Sequence, residues 1–163
     1  MNKNWLKKFI LFALMAAVMF GLVQYRSAND FDKDFAKINL AEGKTVHYTV
    51  DLGKEGSLKY LLQPNIYTVY FRLHTADKNV KLSCASEGVT MMLAQSSKKG
   101  VWRELESSQL LRRDRGSLPL NVEIYLPREA VKQYQVAQGK IKFYDGKKEY
   151  ATVLVDVVNS RCK

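Results

Sequence analysis

The regular alternation of apolar and polar residues after Lys44 constrains the fold of this 163-residue chain more than any other feature. Val46, Tyr48 and Val50 occupy every second position of one segment. A period of two places successive side chains on opposite faces of a β-strand, so one face of each such strand is buried. Comparable segments follow at residues 58–62, 66–74, 80–84, 89–94, 118–126, 141–143 and 150–158.

These segments are short and are separated by turns rich in Gly, Pro, Asn and Asp. About eight strands spaced roughly 8 to 12 residues apart are typical of an all-β domain. We therefore predict an antiparallel two-sheet β-sandwich, Ig-like or jelly-roll-like, over residues 44–163, with a small barrel as the alternative.

The N-terminal segment predicts an export signal. Three lysines precede an apolar run from Phe9 to Val23, which is the pattern of a signal sequence. Because Arg26 makes a cut after Ala28 unfavourable, we expect residues 1–25 to remain as a signal-anchor that crosses a bacterial inner membrane through residues 9–23. The domain would then lie in the periplasm; a cleaved signal peptide that releases it there is the alternative.

Residues 26–43 are mostly polar. Phe31, Phe35 and Ile38 have helical spacing in this segment, and Gly43 ends it. The pattern predicts a linker or a short helix between the anchor and the sandwich.

The two cysteines, Cys84 and Cys162, both follow the apolar run. An even number of cysteines in an oxidising compartment predicts one disulfide, which would fasten the C-terminal strand to a strand in the middle of the chain. The alternatives are two free thiols or a redox pair, although no C-x-x-C spacing supports them.

The formal net charge is +10. An excess of basic residues favours acidic partners. An envelope or membrane protein is the expected partner, with an anionic polysaccharide or lipid as the alternative. Nucleic acid is not expected as a partner, because an exported protein lies across the membrane from the nucleic acids of the cell.

The candidate binding residues come from two places. Arg112, Arg113 and Arg115 lie close together in a long segment without strand character, and their guanidinium groups suit carboxylate, sulfate or phosphate. Trp102 and Arg103 belong to the same segment, and Tyr70 and Arg72 fall on the polar side of the strand at 66–74. Aromatic residues with arginines are common at protein interfaces. The alternative is a solvated loop beside tyrosines that only stabilise the sheet.

Catalytic, metal and cofactor motifs are not evident. The two histidines, His47 and His74, alternate onto the polar faces of their strands, and Glu104, Glu106 and Glu123 are acids without a recognisable partner. We predict a membrane-tethered, non-catalytic binding or accessory domain of the cell envelope that recognises a protein. The alternatives are an inhibitor or immunity protein against an envelope-targeting hydrolase, and an enzyme that acts on cell-wall polymer.

Overall fold

A computed structural model describes residues 10, 12–19, 35–54, 66–98 and 101–162. The chain divides into two compact units, Met1–Phe35 and Ala36–Lys163. The described residues form nine strands and two single 3-10 turns, Ala130–Lys132 and Ser160–Cys162. The strands are β1 (Phe35–Leu40), β2 (Lys44–Asp51), β3 (Ile66–Thr75), β4 (Leu82–Gly88), β5 (Met91–Lys98), β6 (Val101–Glu104), β7 (Leu118–Tyr125), β8 (Gln135–Asp145) and β9 (Lys148–Val158).

The strands form two sheets, one of five strands in the order β1-β3-β7-β5-β6 and one of four in the order β2-β9-β8-β4. The four-stranded sheet is not wholly antiparallel, because β2 runs parallel to β9. The prediction of two sheets is confirmed, whereas the prediction of purely antiparallel sheets is wrong: both sheets are mixed. The orders β1-β3-β7-β5 and β4-β8-β9 match the A-B-E-D and C-F-G orders of Ig-type sandwiches.

The core lies between the two sheets. Both contribute fully buried aromatic side chains, Phe71 from β3 and Phe143 from β8. The Tyr48 ring of β2 meets the Phe71 ring edge to face, with 5.0 Å between centroids. Burying a side chain of this size stabilises the fold by about 1.5–3 kcal/mol. The period-two pattern of β3 correctly predicted which of its residues enter this core.

Strand β1 corrects the prediction for residues 26–43. Residues 35–40 form a strand, and Ile38 and Leu40 are 4% and 2% exposed. These two residues follow the period of a strand, and burial of both outweighs the helical spacing of Phe35 and Ile38. Gly43, with a φ of 69°, completes the turn that carries the chain from β1 to β2 in the other sheet. Residues 26–34 lie outside the described residues.

The predicted single-pass anchor is wrong. Among the described residues, no helix is long and apolar enough to cross a membrane. Residues 12–19 are helical. The inner-membrane localisation was predicted from an anchor at residues 9–23 and is not supported. Residues 9, 11 and 20–23 of that run lie outside the described residues.

The predicted disulfide is also wrong, because Cys84 and Cys162 are both free thiols. Cys84 is aligned with Phe143 and, through it, with Ala151 near the start of β9. Cys162 follows the far end of that strand. Since Ala151 and Val158 are seven residues apart, the two thiols lie at opposite ends of the sheet, separated by about 20 Å or more. A disulfide requires Cα atoms within about 7 Å.

Candidate binding surface on the five-stranded sheet

The outer face of the five-stranded sheet carries most of the predicted binding residues. Strand pairing aligns Tyr70 of β3 with Asn121 of β7, Asn121 with Ala94 of β5, and Ala94 with Glu104 of β6. Leu120 and Val122, on either side of Asn121, are fully buried in the core. Alternation therefore places the Tyr70, Asn121, Ala94 and Glu104 side chains on the face away from the core.

Two aromatic side chains from strands at the flanks of this face meet over its centre. The Tyr70 and Trp102 rings, which we call the aromatic bridge, have centroids 5.7 Å apart and planes inclined by 43°. Two strands, β7 and β5, lie between β3 and β6, so the Cα atoms of the pair start about 14 Å apart. Both side chains must lean inward to meet. Asn121 and Ala94 lie beneath them and are only 4% and 3% exposed, although both face away from the core.

Arg72 lies beside the aromatic bridge, two residues after Tyr70 on the same face of β3. Its Nη1 donates to Ser117 Oγ at 3.0 Å and lies 3.5 Å from Asp114 Oδ2. The Arg72 side chain is 15% exposed and that of Asp114 is 55% exposed. The guanidinium is thus held in place, with part of its charge balanced by a more exposed carboxylate.

Asp114–Ser117 form a tight turn, which we call the arginine turn. Asp114 and Ser117 exchange two backbone hydrogen bonds, of 2.7 and 3.0 Å. The two central residues, Arg115 and Gly116, have φ values of 49° and 80°. Positive φ at both positions defines a type I′ turn, in which Asn-Gly is the usual sequence. Arg115 therefore occupies a conformation that costs a side-chain-bearing residue about 1 kcal/mol.

Arg113 and Arg112, both predicted as binding residues, lie in different surroundings. Arg113 Nη2 donates to Thr75 Oγ1 at 3.0 Å and to the carbonyl oxygens of Asp77 and Val80 at 3.2 and 3.3 Å. This guanidinium fastens the loop before β7 to the turn between β3 and β4. Arg112 is exposed, and the Gln95 side-chain amide bonds to both its backbone N–H and its C=O.

Arg103 and Trp102 are separated by the pleat of β6. Trp102 is aligned with Ser96, and Arg103 with Gln95. Consecutive side chains of a strand point to opposite faces, so Arg103 faces away from the aromatic bridge. The structure brings together Tyr70, Trp102 and Arg72, with Arg115 at the adjacent arginine turn.

Acidic side chains occupy the other part of the same face. Tyr125 Oη donates to Glu123 Oε2 at 3.4 Å. Loss of hydration, followed by the negative charges of Glu123 and Glu104, raises the pKa of Tyr125. The two carboxylates therefore act on one region of the outer face, close to the aromatic bridge.

The outer face of the four-stranded sheet is different. Glu87 bridges Lys140 and Lys142 at 2.8 and 2.9 Å, and Lys142 also approaches Glu149 at 3.7 Å. The bonds from these two lysines lower the pKa of Glu87. Charges that are paired across strands in this way stabilise a solvated sheet surface and do not offer an apolar anchor.

The structure does not bring together the two histidines considered for catalysis. His47 lies on β2 and His74 on β3, which belong to different sheets, and both alternate onto outer faces. Within the described part of the chain, no group of three or more His, Cys, Asp or Glu residues could hold a metal ion.

Sequence inspection missed two polar residues that shape this region, Asn121 and Gln95. Gln95 shares the core side of β5 with Leu93 and is 6% exposed. Its Nε2 donates to the carbonyl oxygens of Arg112 and Pro119 at 2.8 and 2.9 Å. Gln95 could have been identified from the sequence, because it is a polar residue at an apolar position of an alternating strand. Asn121 occupies a polar position of its strand, so the sequence carried no signal for it.

No protein-family model matches the chain, and no curated protein matches it. One solved structure that it resembles is the CupB6 tip adhesin from Pseudomonas aeruginosa, with a TM-score of 0.35 and 13% sequence identity. The match covers 79% of this chain and 41% of the adhesin chain, so this chain spans less than half the length of that protein.

Proposed function

We propose that the chain is a non-catalytic binding domain that recognises a protein partner through the outer face of its five-stranded sheet. The observation that carries the proposal is the aromatic bridge. Tyr and Trp are enriched among the residues that dominate binding energy at protein interfaces, particularly where they lie at the centre of a contact patch. The Tyr70 and Trp102 rings meet over β7 and β5, the two strands that separate β3 from β6.

The charged residues around the aromatic bridge support a protein partner. Arg72 and Arg115 lie toward one end of the face, and Glu104 and Glu123 toward the other. A polar rim with both signs of charge around an aromatic centre is the usual anatomy of a protein interface. The opposite outer face carries paired charges and no comparable aromatic centre among its described residues.

Photo-crosslinking tests this assignment. Thr68 lies on the outer face of β3, aligned with Glu123, and Thr49 lies on the outer face of β2 in the other sheet. We expect benzoylphenylalanine at position 68 to give one discrete crosslinked protein in the cells that express the chain, and the same group at position 49 to give none. Trp102→Ala should remove that product while circular dichroism shows an unchanged fold.

Equal products from both positions, or a product that survives Trp102→Ala, would contradict the proposal. Mass spectrometry of the crosslinked protein also decides between the sequence-based alternatives. A hydrolase as the partner would make the chain an inhibitor.

A further inference from the structure

Among the described residues of the aromatic bridge region, Asn121 has incomplete hydrogen bonding. Its side chain faces away from the core yet is 4% exposed, and it lies next to Tyr70 on the face where the Tyr70 and Trp102 rings meet. Within the described part of the chain, its Oδ1 is buried and accepts no hydrogen bond. A buried carbonyl oxygen without a donor costs stability, and such groups are rare in folded proteins.

The surroundings of this oxygen favour a positively charged donor. The faces of Trp and Tyr rings attract guanidinium and ammonium groups. Glu104 is aligned with Asn121 through Ala94, and Glu123 is two residues along β7 on the same face. The neighbouring cation, Arg72, is already paired with Asp114 and bonded to Ser117. Two aromatic rings, a carbonyl acceptor and two carboxylates thus occupy neighbouring positions on one face of the sheet.

We propose that the aromatic bridge is the receptor for a cationic side chain, arginine or lysine, of the protein partner. The inference rests on the proposed function and specifies its ligand. The incoming group parts the two rings, stacks against them and donates a hydrogen bond to Asn121 Oδ1, while Glu104 and Glu123 balance its charge. Trp102 lies on a four-residue strand at the edge of the sheet.

Small ligands test this without knowledge of the partner. We expect N-acetyl-arginine amide or N-acetyl-lysine amide to shift the indole N–H resonance of Trp102 saturably in ¹⁵N NMR spectra. Trp102→Phe identifies that resonance. N-acetyl-citrulline amide, a neutral isostere of the arginine ligand, should bind at least tenfold more weakly. Of the two cationic ligands, the one that binds more tightly identifies the partner's side chain as arginine or lysine. Equal shifts from all three ligands, or no saturable shift, would overturn the proposal.

A matched pair of variants tests the role of Asn121. Thr152, on the other outer face, is 7% exposed and its Oγ1 donates to Glu149 at 2.8 Å. Thr152→Val removes a satisfied hydroxyl, whereas Asn121→Leu removes an unsatisfied carbonyl. We expect Asn121→Leu to raise Tm and weaken binding of the cationic ligand at least tenfold, and Thr152→Val to lower Tm and leave binding unchanged.

An Asn121→Leu variant that binds the ligand as the wild type does would remove Asn121 from the site. If that variant fails to fold, the three-ligand comparison on the wild-type chain still decides the proposal. If the ligands do not bind but crosslinking at position 68 persists, the cationic side chain is refuted as the ligand of the aromatic bridge, and the protein-binding function stands. Ligand binding without crosslinking would instead refute the protein-binding function.

Discussion

At the scale of single residues, a few polar side chains determine the shape of the candidate surface. Gln95 turns inward from β5 and bonds to the backbone of Arg112 and Pro119, which fixes the start of the loop that leads to the arginine turn. Arg113 fixes the same loop from the other side through Thr75, Asp77 and Val80. Net stabilisation by each such hydrogen bond is about 1 kcal/mol. Arg113, which was predicted to bind a ligand, therefore also fixes the position of this loop.

Arg115 gives a prediction at this scale. Its φ of 49° precedes Gly116 in a type I′ turn, a position that asparagine tolerates better than arginine. We expect Arg115→Asn to raise the free energy of unfolding by about 0.5–1 kcal/mol in urea denaturation, because the backbone strain is relieved. Arg112→Asn, at an exposed position without positive φ, is the control and should change little. A destabilised Arg115→Asn would show that the arginine side chain outweighs the strain.

At the scale of elements, the C-terminal turn Ser160–Cys162 is fastened to the end of β2. Asp51 Oδ1 accepts hydrogen bonds from the backbone N–H groups of Ser160 and Gly53, at 3.1 and 3.0 Å. Arg161 Nε donates to the Gly53 carbonyl oxygen at 3.1 Å. A Cβ at Gly53 would clash with Ser160 Oγ and would lie 3.1 Å from the backbone nitrogens of Ser160 and Arg161, so a side chain here would force the C-terminal turn to shift. One carboxylate therefore joins two chain segments that are distant in sequence.

The pH dependence of this fastening follows from Asp51. The Ser160 backbone N–H, aided by Gly53 and Lys54, lowers the pKa of the Asp51 carboxyl. A carboxyl with a lowered pKa stabilises the fold at pH values above its ordinary value near 4, and that contribution is lost as pH falls through the lowered value. We expect Asp51→Asn to lower Tm at pH 7, and the difference from wild type to narrow below about pH 4. A difference that is constant with pH would contradict this assignment.

At the scale of the whole molecule, the sandwich is held by its core and not by a covalent cross-link. Both sheets contribute to a core that extends from β1 to β9. Burial raises the pKa of the Cys84 thiol to about 12, so this group stays protonated and unreactive while the fold is intact. Cys162 is exposed.

Two measurements check the free thiols. A reducing agent should leave Tm unchanged, since a disulfide closing a loop of this length would have contributed about 4 kcal/mol. Iodoacetamide should modify Cys162 in the folded protein and Cys84 only after unfolding, as read by mass spectrometry. A Tm that falls on reduction would show that the cysteines are paired in solution.

The alternating pattern of the sequence correctly predicted several of the strands and the faces that they bury. Alternation of apolar residues is a local property, and it identified β2, β3, β7 and β9 with the correct residues in the core. It could not determine that β1 is a strand, because a six-residue segment offers few periods and its apolar spacing also suited a helix. Nor could it determine strand order, which depends on how distant segments pair.

Which polar residues share a surface depends on strand pairing, and so on the tertiary structure. Tyr70 and Trp102 are 32 positions apart and meet across β7 and β5. Strand pairing also placed the two cysteines at opposite ends of one sheet. Local patterns report which face a residue takes; proximity across strands follows from register, and register is set by packing of the whole core.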